Sequence, residues 1–314
     1  MMIKRGVESM HDNEFLKEEN RNGFEVTKNR KLLWKYEIDM LLWLESICDK
    51  YHINYFLIGG SEIGAVRHKG FIPWDDDIDL GMLRSDFNKF LEVCNREVPD
   101  FYEIQYRFSD GKDCWSNLCR IRDSRTTGII NNQIGKKISH GVFVEIYPYD
   151  YVPVSRKEQI RLANKINILI NVLLDKINQV PVKGIRMKLW KILFFWASPE
   201  TIDRRIDSIC QSFNDCGVVS TTMIPQYLKS GAEVLDKDDV VETIKVPFEY
   251  TTARIPKQYH KCLTRQYGNY MELPPVEQRG LHHSTLVFYD PERPYTEYSG
   301  KSTGELIEKY GFMI

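Results

Sequence analysis

The sequence lacks most features of a secreted, zinc-knuckle or membrane-spanning protein. Its seven cysteines, Cys48, Cys94, Cys114, Cys119, Cys210, Cys216 and Cys262, are odd in number, spread over 314 residues, and form no C-x-x-C pair. That pattern excludes a disulfide scaffold. Cys114 and Cys119 lack the second Cys/His pair that a zinc finger needs, so scattered reduced thiols are expected. No stretch approaches the roughly 18 apolar residues of a membrane span. The opening MMIKRGVESMHDNEF carries charge but no apolar run, so a signal peptide is not expected and a cytoplasmic location is. Charge of one sign is also missing. A formal net charge of -1 creates no global field toward nucleic acid, and no nucleic-acid partner is expected.

What is present describes a folded chain with one sizeable core. The hydrophobic fraction of 42%, with 17 Tyr, 15 Phe and 6 Trp, excludes a disordered protein. Residues 1–26 read as a mobile N-terminal tail. From Thr27, Leu33, Trp34, Ile38, Leu41, Leu42, Leu44 and Ile47 recur at helical spacing, predicting an amphipathic helix that ends near Lys50. Tyr55–Ile58 is a short apolar strand stopped by Gly59-Gly60, and Ser61 is placed to cap the next helix. Asp77-Ile78-Asp79-Leu80 alternates as a half-buried strand does. Further strands are expected at 102–108, 118–121 and 141–147, the last ending at Pro148. These elements compose a catalytic unit over 27–153 in which helices alternate with strands around one sheet. Residues 154–240 read as a helical insert, with helices at 156–179, 184–197 and 202–213. Residues 241–314 are rich in Pro and Tyr and are expected to pack back on the core.

The densest chemical signal is Gly59-Gly60-Ser61 followed by Trp74-Asp75-Asp76-Asp77-Ile78-Asp79. Four carboxylates in five residues repel one another strongly unless cations neutralise them. On a strand Asp77 and Asp79 point to one face, close enough to share an ion, and oxygen ligands of this kind suit Mg2+ or Mn2+. Asp75 joins that face only if the strand starts early, and Asp76 is expected to face away or to cap the preceding turn. Glycines let backbone approach a phosphate, and the following helix offers free N–H groups. Arg67, His68 and Lys69 lie between the two halves, placed either to hold phosphates or to pair with the Asp cluster. Trp74 either stacks on a base, faces an ammonium, or packs in the core.

Gly-Gly-Ser with a downstream Asp-apolar-Asp resembles the nucleotidyltransferase superfamily. The longer run GGSEIGAVRHKGFIPWDDDIDLGMLRSDF, Gly59 to Phe87, resembles the LicD family, to which the fukutin-type proteins are related. The resemblance extends upstream through Leu33-Trp34. Downstream it takes in Arg122-Asp123-Ser124, Gly141 to Asp150, Tyr267 to Met271, Pro274-Pro275 and His282-His283. It implies an α/β (α+β) fold, a nucleotidyltransferase-like mixed sheet flanked by helices, with a helical insert. It also implies transfer of phosphocholine, or a similar phospho-alcohol, from a CDP-linked donor to a sugar hydroxyl with release of CMP. The acceptor would be a cell-surface glycan of the lipopolysaccharide or teichoic acid type, or its lipid-linked precursor. Superfamily members use a third carboxylate from a later strand. Glu145 matches that position, where many relatives carry Asp, and is expected to serve as metal ligand and general base, with Asp150 the alternative. Arg122, Asp123 and Thr126 follow a strand end, placed either to contact nucleotide or acceptor or to form an ion pair with a capping Thr. Two other functions use the same residues: a nucleotidyltransferase moving NMP from an NTP, and a non-catalytic binding protein.

Lys188 to Trp196 is basic and aromatic. It either lies on the inner face of a membrane or packs on the catalytic core, the commoner fate of a long apolar face.

Overall fold

A computed structural model describes residues 14–111, 115–130, 136, 138–177, 181, 184–279, 286–298, 301 and 303–310. Its longest helix, α1 (Lys28–Tyr51), starts where Thr27 accepts the Arg30 N–H at 3.2 Å and stops at His52, whose φ of 52° ends the helical hydrogen bonding. Leu33, Trp34, Ile38, Leu41, Leu44 and Ile47 face inward and form one wall of the main core. Strand β3 (Phe56–Leu57) then runs antiparallel to β4 (Asp79–Leu83), joined through the short helix α2 (Gly59–Ile63) and a π-turn at Gly64–His68.

Strand β8 (Val142–Tyr151) is the spine of a seven-stranded sheet. One of its edges pairs parallel with β4, placing Asp79 opposite Glu145. The other pairs antiparallel first with β6 (Ser116–Asp123), which carries β5 (Tyr102–Arg107), and then with β9 (Val218–Ser220), which carries β10 (Leu235–Asp236). Helix α3 (Arg84–Glu97) follows β4 directly and buries Phe87, Phe90, Val93 and Cys94. This is the mixed sheet flanked by helices expected from the sequence.

Contrary to expectation, β8 does not end at Pro148. The Glu145 N–H bonds Ile78 O on the β4 side at 2.9 Å, so alternation turns Pro148 N to the other edge. There β6 has stopped at Ile146 and β9 begins only at Asp150. The missing N–H therefore costs no ladder bond.

Residues 154–240 build a second core from α4 (Arg156–Lys176), α5 (Ile185–Leu193), α6 (Pro199–Cys210) and α7 (Pro225–Ser230), with Ile166, Leu169 and Val172 facing Ile202 and Ile206. The segment is more than helices, because β9 and β10 extend the central sheet. Helix α5 departs from the expected packing: Met187 and Phe194 touch the second core, but Ile185, Leu189, Ile192, Leu193, Phe195 and Trp196 stay exposed.

After α8 (Lys237–Val241), the hairpin β11 (Thr243–Phe248) and β12 (Thr251–Pro256) places Phe248, Ala253 and Ile255 in the main core. Helix α9 (Tyr259–Tyr267) follows, and β13 (Leu286–Asp290) pairs with β7 (Thr127–Ile130). Helix α10 (Thr303–Tyr310) ends the described chain. Residues 19–26, placed by sequence in the tail, form the hairpin β1 (Glu19–Arg21) and β2 (Phe24–Val26). It is tied down by a two-pronged Arg21–Glu249 pair at 2.6 and 2.8 Å and by fully buried Val26. Among the described residues six cysteines are free thiols, five of them buried.

Candidate active site

The turn after β3 is shaped by close approach. Gly59 has φ +58°, and a β-carbon on Gly60 would come within 2.6 Å of Asp75 Oδ2. The glycines thus seat the α2 backbone directly against the acidic run. Ser61 does not cap the helix, which already begins at Gly59. Its Oγ accepts the Asp79 N–H at 2.9 Å and fixes the start of β4 to α2.

Asp75, Asp77 and Asp79 line one cavity of about 620 Å³ together with Gly60, Arg67 and Trp74. Strand β4 starts late, at Asp79, yet Asp75 still reaches that face. The lead-in is held by Asp75 itself, whose N–H bonds Ile72 O at 2.9 Å and whose carbonyl accepts from Trp34 Nε1 at 3.0 Å and Arg30 at 2.9 Å. Asp76 turns one oxygen away to the Leu286 N–H at 3.2 Å, although a carboxylate oxygen each of Asp75, Asp76 and Asp77 lie within 4.8 Å of one another.

Parallel register sets Glu145 beside Asp79. Arg120 on β6 reaches one Glu145 oxygen at 2.6 and 2.7 Å, and the Tyr147 hydroxyl donates to the other at 2.5 Å. Burial, then each other's charge, raises the carboxyls. Asp77 and Asp79 are held well above the ordinary carboxylate range, and Asp75 is pushed to about 7. Oδ1 of Asp79 is buried with no hydrogen-bond partner. A glycine cradle, like charges with too little compensation and an orphaned oxygen fit a hard divalent cation.

A family model for the nucleotidyltransferase domain of LicD, FKTN and FKRP matches residues 52–157, which contain the glycine turn, the four Asp of the acidic run, Glu145, Arg120 and Tyr147. Over 254 residues the chain is 31% identical to the lipopolysaccharide cholinephosphotransferase LicD of Haemophilus influenzae, covering 78% of this chain and 92% of that protein. The chain belongs to the LicD family. It is also 32% identical over 74 residues to the human ribitol 5-phosphate transferase FKRP, 18% of this chain and 15% of that one.

Not every residue singled out in the sequence of this LicD-family chain reaches the cavity. Lys69 is exposed and ends the π-turn with φ 57°, and its carbonyl accepts the Glu249 N–H at 2.7 Å. His68 is engaged by Arg67 Nε at 2.9 Å and lies 3.2 Å from Asn22 Nδ2. Burial, then Arg67, lowers its pKa to about 4, so the ring is a neutral spacer. Arg122 is fully buried on Phe143, donating to Gly141 O at 2.7 Å. Asp123 pairs with Arg125 instead, and Thr126 donates to Asp123 O and accepts the Val142 N–H. These three build the β6–β7 turn. Asp150 stands within β8, bound by Arg84 at 2.7 and 2.8 Å and by Thr222 at 2.5 Å. His282 and His283 lie outside the described residues.

Sequence reasoning missed several groups in or beside the cavity of this LicD-family site. Tyr227 and Tyr267 line the cavity with rings half exposed. Arg279 lies over Trp74 at 5.3 Å and, like Arg67, is held by backbone carbonyls. Arg67 loses proton affinity to burial and then to the nearby charge of Arg279. Tyr267 stood inside the Tyr267–Met271 motif. Nothing in the local sequence of Tyr227 or Arg279 points to the site.

Proposed function

We propose that this LicD-family chain is a metal-dependent phosphotransferase that moves phosphocholine from a CDP-linked donor to a sugar hydroxyl, releasing CMP. One observation carries the reading. The Asp77–Asp79–Glu145 constellation faces a glycine turn in a chain 31% identical over 92% of a lipopolysaccharide cholinephosphotransferase. The acceptor is a cell-surface glycan or its lipid-linked precursor, met at the cytoplasmic face of a membrane.

Asp75, Asp77, Asp79 and Glu145 would hold Mg2+ or Mn2+, which clamps phosphate oxygens and offsets the charge that develops on them. In the transfer, the acceptor oxygen forms a bond to the phosphocholine phosphorus while the bond from that phosphorus to the bridging oxygen breaks. The electron pair leaves with CMP. Glu145 takes the acceptor proton, with Arg120 and Tyr147 fixing its two oxygens in place. Arg67 and Arg279 pair with no carboxylate among the described residues, which supports their facing the donor's diphosphate.

A cationic alcohol suits the opposite wall. Tyr227 and Tyr267 are 42% and 46% exposed in the cavity. Near them stand Glu62 and Glu233, 2% and 8% exposed, with no ion pair among the described residues. Burial drives Glu233 to about 7, partly offset by Tyr149, and burial then Glu233 drives Glu62 well above its usual range. Two aromatic faces backed by unpaired acids favour a quaternary ammonium over ribitol or glycerol.

The test is a product analysis with Mg2+ and CDP-choline, CDP-ribitol, CDP-glycerol, CTP or ATP as donor. Mg2+-dependent CMP release from CDP-choline supports the reading. Pyrophosphate release with a nucleotidylated acceptor replaces it with a nucleotidyltransferase, and failure to bind any divalent cation or donor leaves a non-catalytic protein.

A further inference from the structure

The second core presents an outer face that its own packing does not explain. Helix α5 and the turn after it expose Ile185 by 74%, Leu189 by 60%, Ile192 by 66%, Phe195 by 76% and Trp196 by 69%. Among the described apolar side chains from Ile185 to Trp196, only Met187 and Phe194 pack against the core beneath. An amphipathic helix normally buries its apolar side, and a cluster of this kind marks a contact surface.

The charged residues that line the groove beside it are of one sign. On α4, Arg161, Asn164, Lys165 and Ile168 follow helical spacing and face α5 across a groove of about 360 Å³. Its floor is Ile168, Leu169, Trp190 and Phe194, and its rim is Arg161, Lys165 and Arg205. Among the described residues none of Arg161, Lys165, Lys188 and Arg205 pairs with a carboxylate, whereas neighbouring Lys191 binds Asp175 at 2.6 Å.

Two other occupants fit less well. A span is excluded for this helix, since nine residues rise only about 14 Å against a hydrocarbon core of about 30 Å. A second copy joined through the same face would bring these unpaired cations against their own duplicates. Phosphate headgroups above acyl chains supply both missing complements, anions for the rim and hydrocarbon for the exposed side chains.

We infer that α5 and the α4–α5 groove form an interfacial anchor for an anionic phospholipid bilayer. The apolar side chains enter the acyl boundary, and Arg161, Lys165, Lys188 and Arg205 meet headgroup phosphates. This anchor rests on the exposed face alone and holds whatever the carboxylate site does.

The full chain is floated with phosphatidylcholine vesicles, with and without phosphatidylglycerol. It is expected to float with the anionic vesicles and to be released by salt. Leu189→Glu/Phe195→Glu should abolish flotation, and Arg161→Ala/Lys165→Ala/Arg205→Ala should weaken it on the order of a hundredfold. All five side chains face solvent or the groove, so far-UV circular dichroism and Tm should match the parent. The charge variant alone decides if the apolar one misfolds. Absence of flotation with anionic vesicles, or flotation of both variants equal to the parent's, overturns the anchor. So does a dimer in light scattering that Leu189→Glu/Phe195→Glu dissolves, which would assign the face to a second copy.

Discussion

The two acids of β8 received opposite treatment from the fold. Asp150 is fully buried but matched: the Arg84 guanidinium grips both its oxygens, and Thr222 donates a third bond. Glu145, five residues earlier, faces Asp79 and its neighbours across the β4–β8 pair, with Arg120 the one cation bound to it among the described residues. A buried pair that is matched holds the fold together. A buried cluster that is under-matched works against the fold until a ligand completes it.

The largest effect that sharpens this contrast is on activity. Asp79→Ala should reduce CMP release by about a thousandfold or more, because both the cation and the donor phosphates lose their anchor. Its Tm in metal-free buffer should equal or exceed the parent's, since one member of a repelling group is gone. A variant that keeps activity removes Asp79 from the reaction. One that only unfolds makes the two acids alike.

Asp150→Ala should do the reverse. Removing it leaves Arg84 buried beside Cys210 and Phe87 with only the more distant Asp207 carboxylate, 3.7 Å away, and about 3 kcal/mol of stability should be lost in urea unfolding. The folded fraction should keep near-parent specific activity. A stable but inactive Asp150→Ala protein would return Asp150 to the role of third carboxylate.

A smaller effect shows the under-matched cluster by pH. A carboxyl raised on folding contributes stability while it is protonated and loses that contribution as pH rises through the interval between its unfolded and folded values. For Asp75 the interval runs from 3.8 to about 7. Metal-free protein should therefore lose stability across that window, and Asp75→Asn should flatten the decline. Mg2+ should raise Tm more above the window than below it, since only ionised carboxylates bind it well. Equal Mg2+ shifts on both sides of the window would mean that the cluster is not the cation site.

The sequence made half of this contrast legible. Gly59-Gly60 and the Asp75–Asp79 run lie close in the chain, so local spacing was enough to bring them together. Ser61 misled because a serine before a helix usually caps it, whereas here the Asp79 N–H competes for its oxygen across the turn. Arg122 and Arg120 are equivalent to inspection. Only the β6–β8 register, which sets Arg120 opposite Glu145 and Arg122 opposite Phe143, decides which one meets the acid. Arg279 and Tyr227 arrive from far along the chain, and no periodicity encodes that meeting. The exposed side of α5 was ambiguous for a related reason: a helical apolar pattern shows that a face seeks cover without saying what covers it.

The smallest predicted effect tests the wall opposite the carboxylates. If Tyr227 and Tyr267 face the donor's ammonium, Tyr267→Leu keeps an apolar side chain there and removes most of the cation–π attraction. KM for CDP-choline should rise about 5- to 10-fold, corresponding to about 1 kcal/mol, while use of CDP-ribitol changes little. Tyr267→Phe should retain most of the preference, because the ring and not the hydroxyl carries the attraction. Equal losses with both donors would show Tyr267 supporting the Gly59 turn, where its hydroxyl stands 3.7 Å from the position a β-carbon would take. The cation-binding wall would then have to be sought at Glu233 and Glu62, whose variants Glu233→Gln and Glu62→Gln would raise KM for CDP-choline and leave CDP-ribitol little changed.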